Sequence, residues 1–278
     1  MRLSDCRRQI LSSLLAAMAA GKVCLAVAAA PAVSQLAPVG GEEPVALHRA
    51  ALPPATRFTL AYDVYYGDFM GSGLQVASAL YHFRSQGGRY RIDTEARASG
   101  VLAMFYSGTL LQSSEGLLDE KGLVPERYTE KRGHRPERRY VFDASSRRIR
   151  QEGDPAIDFP YPEGTQDRLS IFFQLGQLAR AEGTPLRTGR TVTLPLAGSR
   201  RIDEALLQIK GMESIRTGAG GFDALHIAAS KPGDDDAPRF DLWLAPELKM
   251  LPVRIRVLDH GAGGKIIDQV LGSRPAGF

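Results

Sequence analysis

The sequence predicts a mainly β protein: one large curved antiparallel sheet, a half-open barrel, wrapped around one principal α-helix at about residues 166–181. Three observations carry that expectation. Apolar and polar residues alternate with period two through most of the chain from Arg57 onward. Glycine-rich and polar clusters punctuate the runs at hairpin spacing. One segment, TQDRLSIFFQLGQLARAEG, breaks the alternation. Its polar residues at 167, 170, 174 and 177 leave a narrow wet stripe on a helix that is otherwise apolar.

The elements follow in order. MRLSDCRR carries Arg2, Arg7 and Arg8, then come ILSSLLAAMAA, Gly21-Lys22 and VCLAVAAAPAVS. A basic start, short apolar stretches and a small-x-small end at Ala32-Val33-Ser34 form the pattern of a secretory signal peptide over residues 1–34, with the periplasm as destination. An uncleaved inner-membrane anchor is the alternative. Lys22 divides the apolar run, and neither half reaches the ~20 residues that span a bilayer, so no transmembrane span is expected in the mature chain. Val23 before Cys24 is not the small residue of a lipoprotein box, so lipidation is not expected. Residues 35–56 are rich in Pro, Ala and Gly and read as a linker.

From there RFTLAYDVYYG places Phe58, Leu60, Tyr62, Val64 and Tyr66 on one strand face. GSGLQVASALYHFR and RYRIDTEARA flank a Gly87-Gly88 turn as a hairpin. VLAMFYSG reads as an irregular or helical entry to a strand over 107–115. LVPERYTEKRGHRPERRYVFDASSRRIR, residues 123–150, reads as a pair of strands with charged outer faces and Tyr140 and Phe142 turned inward. Asp167 is expected to N-cap the helix, with Ser170 three residues on, and Gly183 to stop it. RTVTLPLA, IDEALLQIKGMES, FDALHIAAS, RFDLWLA, PVRIRVLD and IIDQVL then resume the strand pattern, punctuated by TGAGG, KPGDDDAP and HGAGGK. The whole reads as a single β-rich domain over 57–272, with 273–278 as a tail.

The bulk numbers exclude more than they assign. The chain has 278 residues, 44% hydrophobic and 24% charged, an ordinary globular balance. Residues 1–34 hold Arg2, Arg7, Arg8 and Lys22 against Asp5, so the leader carries most of the net charge of +4. A nearly neutral mature protein offers no bulk argument for nucleic acid. Both cysteines, Cys6 and Cys24, lie in the leader, which leaves no thiol for disulfides, metal sites or catalysis. His48, His82, His134, His226 and His260 stand singly, without metal-ligand spacing, and His82 and His226 read as half-buried strand residues. Ser72 in Gly71-Ser72-Gly73 fits a turn rather than a nucleophile elbow. Asp234-Asp235-Asp236 lacks the spaced ladder of a calcium loop. No cofactor motif is present.

In WLAPELKMLPVRIRV, Val253, Ile255 and Val257 fall on one face of a strand, and Arg254 and Arg256 on the other. Pro246 and Pro252 cannot donate to a ladder, so both are placed in the connection of a hairpin. Its arginines are expected to face solvent or a polar ligand.

This hairpin, with its glycine-rich turn and IIDQVL, resembles the C-terminal signature of proteobacterial envelope proteins catalogued as Domain of Unknown Function 3108. GLVPERYTEKR and TQDRLSIFFQLGQLA are similar to two further blocks of that family, and the resemblance covers about residues 57–272. It implies location and architecture and no activity. A weaker resemblance links the hairpin to the lipoprotein-carrier fold, in which an incurved sheet half encloses an apolar cavity plugged by helices; fold does not fix function.

The reading that follows is a non-catalytic periplasmic binding or carrier module for a lipid, acyl chain or lipoprotein. Tyr62, Leu169, Phe172, Phe173 and Trp243 are its candidate ligand contacts, with Arg254 and Arg256 for a headgroup. The alternative is an envelope structural or assembly factor with a protein partner. It would contact an anionic surface through the basic 127–150 region, chiefly Arg138, Arg139, Arg147 and Arg148. A hydrolase without a recognisable motif is the minor alternative. No nucleic-acid partner and no metal are expected.

Overall fold

The computed structural model describes residues 55–99, 108–230, 239–259 and 265–277. The expected signal peptide, most of the linker, the irregular entry at 101–107, the KPGDDDAP turn and the glycine-rich turn with His260 lie outside the described residues.

The alternating runs form strands, as their period dictates. In chain order they are β1 (Ala55–Tyr66), β2 (Leu74–Gln86), β3 (Arg89–Ala98), β4 (Thr109–Asp119), β5 (Gly122–Arg132), β6 (Arg138–Asp143), β7 (Arg148–Gln151) and β8 (Asp154–Pro160). The helix α1 (Ser170–Arg180) follows. Then come β9 (Thr191–Ala197), β10 (Ile202–Thr217), β11 (Gly220–Ser230), β12 (Arg239–Ala245), β13 (Leu251–Asp259) and β14 (Lys265–Leu271). The basic stretch 123–150 therefore supplies three strands, β5, β6 and β7, rather than a pair, because the Asp143–Arg147 turn reverses the chain once more within it.

All fourteen strands join one antiparallel sheet in the order β8-β7-β6-β5-β4-β3-β2-β1-β14-β13-β12-β11-β10-β9. The first and last strands meet in the middle, with Tyr62 opposite Leu271 and Tyr66 opposite Ile267. Two meanders grow outward from that seam, and the segment carrying α1 joins their far edges, β8 and β9. The sheet is not closed into a barrel.

The helix forces the sheet to bend. In α1, Gln174 bonds to β5 and Gly176 abuts Met250, the residue ahead of β13, and these two strands stand six places apart in the strand order. Flat, those strands would lie roughly 29 Å apart, whereas a helix is ~10 Å across. The sheet must curl around it. None of residues 165–181 is exposed. Phe173 packs against Phe83 at 5.6 Å between ring centroids and against Phe58 at 6.2 Å, and Phe172 meets Phe240 edge-on at 5.4 Å.

Two glycines set how closely the helix sits. At Gly176 a Cβ would come 2.5 Å from the Met250 carbonyl oxygen, so only glycine lets α1 touch the β12–β13 connection. Gly122, at φ +109, lies under the Gln174 amide, which accepts the Leu123 N–H at 2.7 Å and donates to the Lys121 carbonyl at 2.8 Å. The polar stripe read from sequence is thus buried and not a wet face, with Gln174 clamping the helix to β5 and Asp167 accepting from Ser114 of β4.

The helix start differs from expectation in one detail. The regular turns begin at Ser170, so Asp167 stands ahead of the N-cap position. It still serves the orphan amides: Oδ1 accepts the N–H groups of Leu169 and Ser170, each at 2.8 Å, while Ser170 Oγ accepts the Asp167 N–H at 2.9 Å. Pro252 also departs from its expected place. It lies within β13, opposite Leu244 where the register shifts, so the bulge excuses its missing donor. Its carbonyl accepts the Tyr62 hydroxyl at 2.6 Å.

Candidate functional site

Strand pleating gives the curved sheet two faces with different chemistry. Phe58, Leu60, Tyr62 and Val64 of β1 point to the concave face, with α1. Arg57, Thr59, Ala61, Asp63 and Tyr65 point to the convex face. The sequence-selected residues divide between them. Tyr62, Leu169 and Phe173 are buried on the concave side, and Phe172 is half-buried there. Trp243, Arg254 and Arg256 lie on the convex side of β12 and β13. The structure does not bring these two groups into one cavity.

The convex group is a largely buried ionic cluster, whereas its arginines were expected to face solvent or a ligand. Arg254 is only 4% exposed and Asp268 is fully buried. The Arg254 guanidinium donates from Nε and Nη2 to the two Asp268 oxygens, at 2.9 and 2.5 Å, and Nη2 also donates to Asp68 at 2.9 Å. Arg256 reaches the same Asp68 oxygen at 2.9 Å. Pairing places this out of sight of local sequence: Asp268 comes from β14, opposite Arg256, and Asp68 from the β1–β2 connection. Arg254 lies 4.8 Å from the centroid of Trp243, and His226 stacks on that ring at 4.5 Å with its planes 9° apart. His226 contacts Asp241 through Nε2 at 3.1 Å and Glu213 through Nδ1 at 3.3 Å, and the other expected half-buried histidine, His82, is exposed.

The carboxylates show how differently burial can act. Burial alone would raise the Asp68 carboxyl, but the Met70 N–H and the Arg256 and Arg254 guanidiniums outweigh it and hold the group below the usual range. At Asp167, on the concave side with no cation bonded to it, burial wins. It raises the carboxyl despite hydrogen bonds from Ser114 and from the Ser170 and Leu169 amides.

Among the described residues, two clefts open beside these elements. One of about 50 Å3 lies where the C-terminal half of α1 meets the sheet, walled by Phe58, Phe83, Phe173, Gly176, Leu251 and Pro252. Gln177, Arg180 and Lys249 also line it, giving an apolar slot cationic neighbours. The hydrogen bonds that tie the helix to the sheet come from Gln174 and, ahead of it, Gln166 and Asp167, so the slot lies beyond those ties.

The second cleft, about 430 Å3, lies at the end of the β2–β3 hairpin. Arg57, Arg84, Arg89 and Arg91 line it with Glu115, and Thr56, Ser85 and Tyr90 reach it from the concave side. Sequence reading did not select these arginines. A usable signal was present: a two-residue Gly87-Gly88 turn fixes Arg84 opposite Arg91, as observed. Arg57 enters only through the pairing of β1 with β2.

The basic 127–150 stretch is largely self-neutralised. Arg139 pairs with Glu137 and Glu152, each at 2.8 Å, Arg148 with Asp158 at 2.6 Å, and Arg147 with Glu163 at 3.8 Å. Arg138 stands on β6 opposite Glu130.

Comparison with known proteins locates the chain by family. No curated protein matches it. Among solved structures, a candidate lipoprotein of Parabacteroides distasonis aligns over 80% of this chain and 96% of its own, with 10% identity and a TM-score of 0.34. A candidate exported protein with YmcC-like fold from Bacteroides fragilis aligns over 82% of this chain and 98% of its own, with 11% identity and a TM-score of 0.30. Among the described residues no helix is long and apolar enough to cross a membrane. The family model of DUF3108, a protein of unknown function, matches residues 61–263, from β1 across α1 to the β13–β14 connection, and the chain belongs to that family.

Proposed function

We propose that the protein is an exported, non-catalytic binding module of the bacterial cell envelope that holds an apolar chain in the seam between α1 and the concave sheet. The apolar slot at Phe58, Phe83, Phe173 and Leu251 carries this reading, because it opens beyond the hydrogen bonds that clamp the helix. Ligand pockets usually measure ~300–1,000 Å3, so a slot of about 50 Å3 is an entry point rather than a finished site. Loading requires the C-terminal half of α1 to lift while Gln174 and Asp167 hold the other half. The basic N-terminal leader supports export to the periplasm. The alternative, an anionic-surface contact through Arg138, Arg139, Arg147 and Arg148, draws less support, since three of the four already face carboxylates.

Purified protein stripped of lipid should take up a fluorescent fatty-acyl probe and release it to unlabelled fatty acid. Mass spectrometry of undelipidated protein should show an acyl species. A protein that takes up no probe and carries no lipid is not a carrier.

A further inference from the structure

The larger cleft has an electrostatic peculiarity. Arg57, Arg84 and Arg91 stand directly opposite one another on β1, β2 and β3, and the row continues through Glu115 on β4 to Arg127 on β5. Neighbouring strands are ~4.8 Å apart, and like charges directly opposite are destabilising. The neutralising carboxylates are shared. Asp93 serves Arg91 at 2.8 Å and Arg84 at 3.8 Å. Glu115 divides its two oxygens between Arg91 and Arg127, at 2.8 and 2.6 Å. Arg89 takes Glu126. Among the described residues Arg57 makes no ion pair, so the positive surplus sits at its end of the row. Close by, the Ser85 hydroxyl is buried without a hydrogen-bond partner.

Both clefts lie at the same end of β1 and β2, the apolar slot on the concave face and the arginines on the convex face. Thr56 lines both, and Ser85 follows one residue after Arg84 and two after Phe83 of the apolar slot. An apolar chain leaving the slot past Thr56, around the end of β1, would therefore meet guanidiniums beside the turn of the hairpin. Guanidinium forks match phosphate and carboxylate oxygens in pairs, and several converging on one cleft favour an anion over a neutral group.

We infer that the ligand is an anionic amphiphile, its acyl chain in the helix–sheet seam and its phosphate or carboxylate head against Arg57, Arg84, Arg89 and Arg91. This rests on the proposed acyl-binding role and names its ligand class. A lipid head and a free phosphate share the chemistry that the arginines recognise, and the test separates them.

Binding of lysophosphatidylglycerol, lysophosphatidylcholine of the same chain, a monoacylglycerol and inorganic pyrophosphate is measured by calorimetry on the mature protein. Lysophosphatidylglycerol should bind about tenfold tighter than lysophosphatidylcholine, a preference that shrinks with added salt. In the variant Arg57→Glu/Arg84→Glu, with its unfolding midpoint checked as a fold control, that preference disappears. Equal affinity for the two lysolipids, with the monoacylglycerol also bound, overturns the inference and leaves the acyl-binding role standing. Pyrophosphate bound without any lysolipid or monoacylglycerol overturns both, and marks the basin as a site for a free anion.

Discussion

Two groups of arginines share the convex face of one sheet, and their fates differ because of what stands opposite them. Arg254 and Arg256 meet Asp268 and Asp68, supplied by β14 and the β1–β2 connection, and form a cluster whose Arg254–Asp268 pair is buried. Arg57, Arg84 and Arg91 meet mainly each other, with carboxylates too few and too shared to neutralise them. The first group fixes the seam where the two meanders join. The second leaves charge at the mouth of a cleft. The face and residue type are the same, so the difference lies in which carboxylates strand register and the β1–β2 connection bring opposite.

The largest loss of stability is expected at Asp268. Asp268→Ala strands Arg254 in a buried site and removes the acceptor of the Phe69 N–H, so chemical denaturation should show a loss of about 3–5 kcal/mol. Substituting Arg254→Met in that background should recover part of it, because a buried pair replaced by apolar groups is often tolerated.

Gly176→Ala comes next. Its added methyl meets the Met250 carbonyl, backbone that cannot swing aside, and a cost of about 1–3 kcal/mol is expected in the same measurement. A neutral outcome would mean that α1 does not sit tightly on the connection between β12 and β13.

The two perturbed carboxylates give opposite pH responses. Asp68 is depressed in the folded state, so its contribution is present above the unfolded carboxylate pKa and is lost as pH falls through the folded value. Asp68→Asn should therefore flatten the acid limb of the stability–pH curve. Asp167 is raised, so its contribution is complete below the unfolded pKa and is lost as pH rises through the folded value. Asp167→Asn, which keeps an acceptor for the Leu169 and Ser170 amides, should gain relative stability toward neutral pH, while Asp167→Ala forfeits about 1 kcal/mol of capping.

The smallest effect on stability is expected where the effect on binding is largest. Arg84→Glu converts a like-charge row into alternating signs between Arg57 and Arg91, so stability should hold or rise by about 0.2–1 kcal/mol. Loss of stability there would show that the row is structural after all.

Much of this fold was legible locally. Period-two runs such as Phe58-Leu60-Tyr62-Val64 dictated strands facing a core, and the apolar girth of 169–178 dictated a helix inside them. The missing parts depend on long-range pairing. Nothing near Tyr62 announces Leu271 as its partner, and Arg254 reads as an outward residue until Asp268 arrives from the next strand. The site was less legible than the fold for the same reason. The Gly87-Gly88 turn encodes Arg84 opposite Arg91, but Arg57 joins them only once β1 pairs with β2. The density of arginines along 127–150 pointed elsewhere, because local sequence counts charges without showing that Glu137, Glu152, Asp158 and Glu163 answer them.

Unfolding midpoints of Arg254→Ala and Arg84→Ala, measured side by side in denaturant, test the division of labour most directly. Arg254→Ala should lose several kcal/mol, since it leaves Asp268 charged and buried, and Arg84→Ala should stay within about 0.5 kcal/mol of the parent. Equal losses, or a tolerated Arg254→Ala beside a crippled Arg84→Ala, would contradict the assignment of one cluster to the scaffold and the other to the ligand.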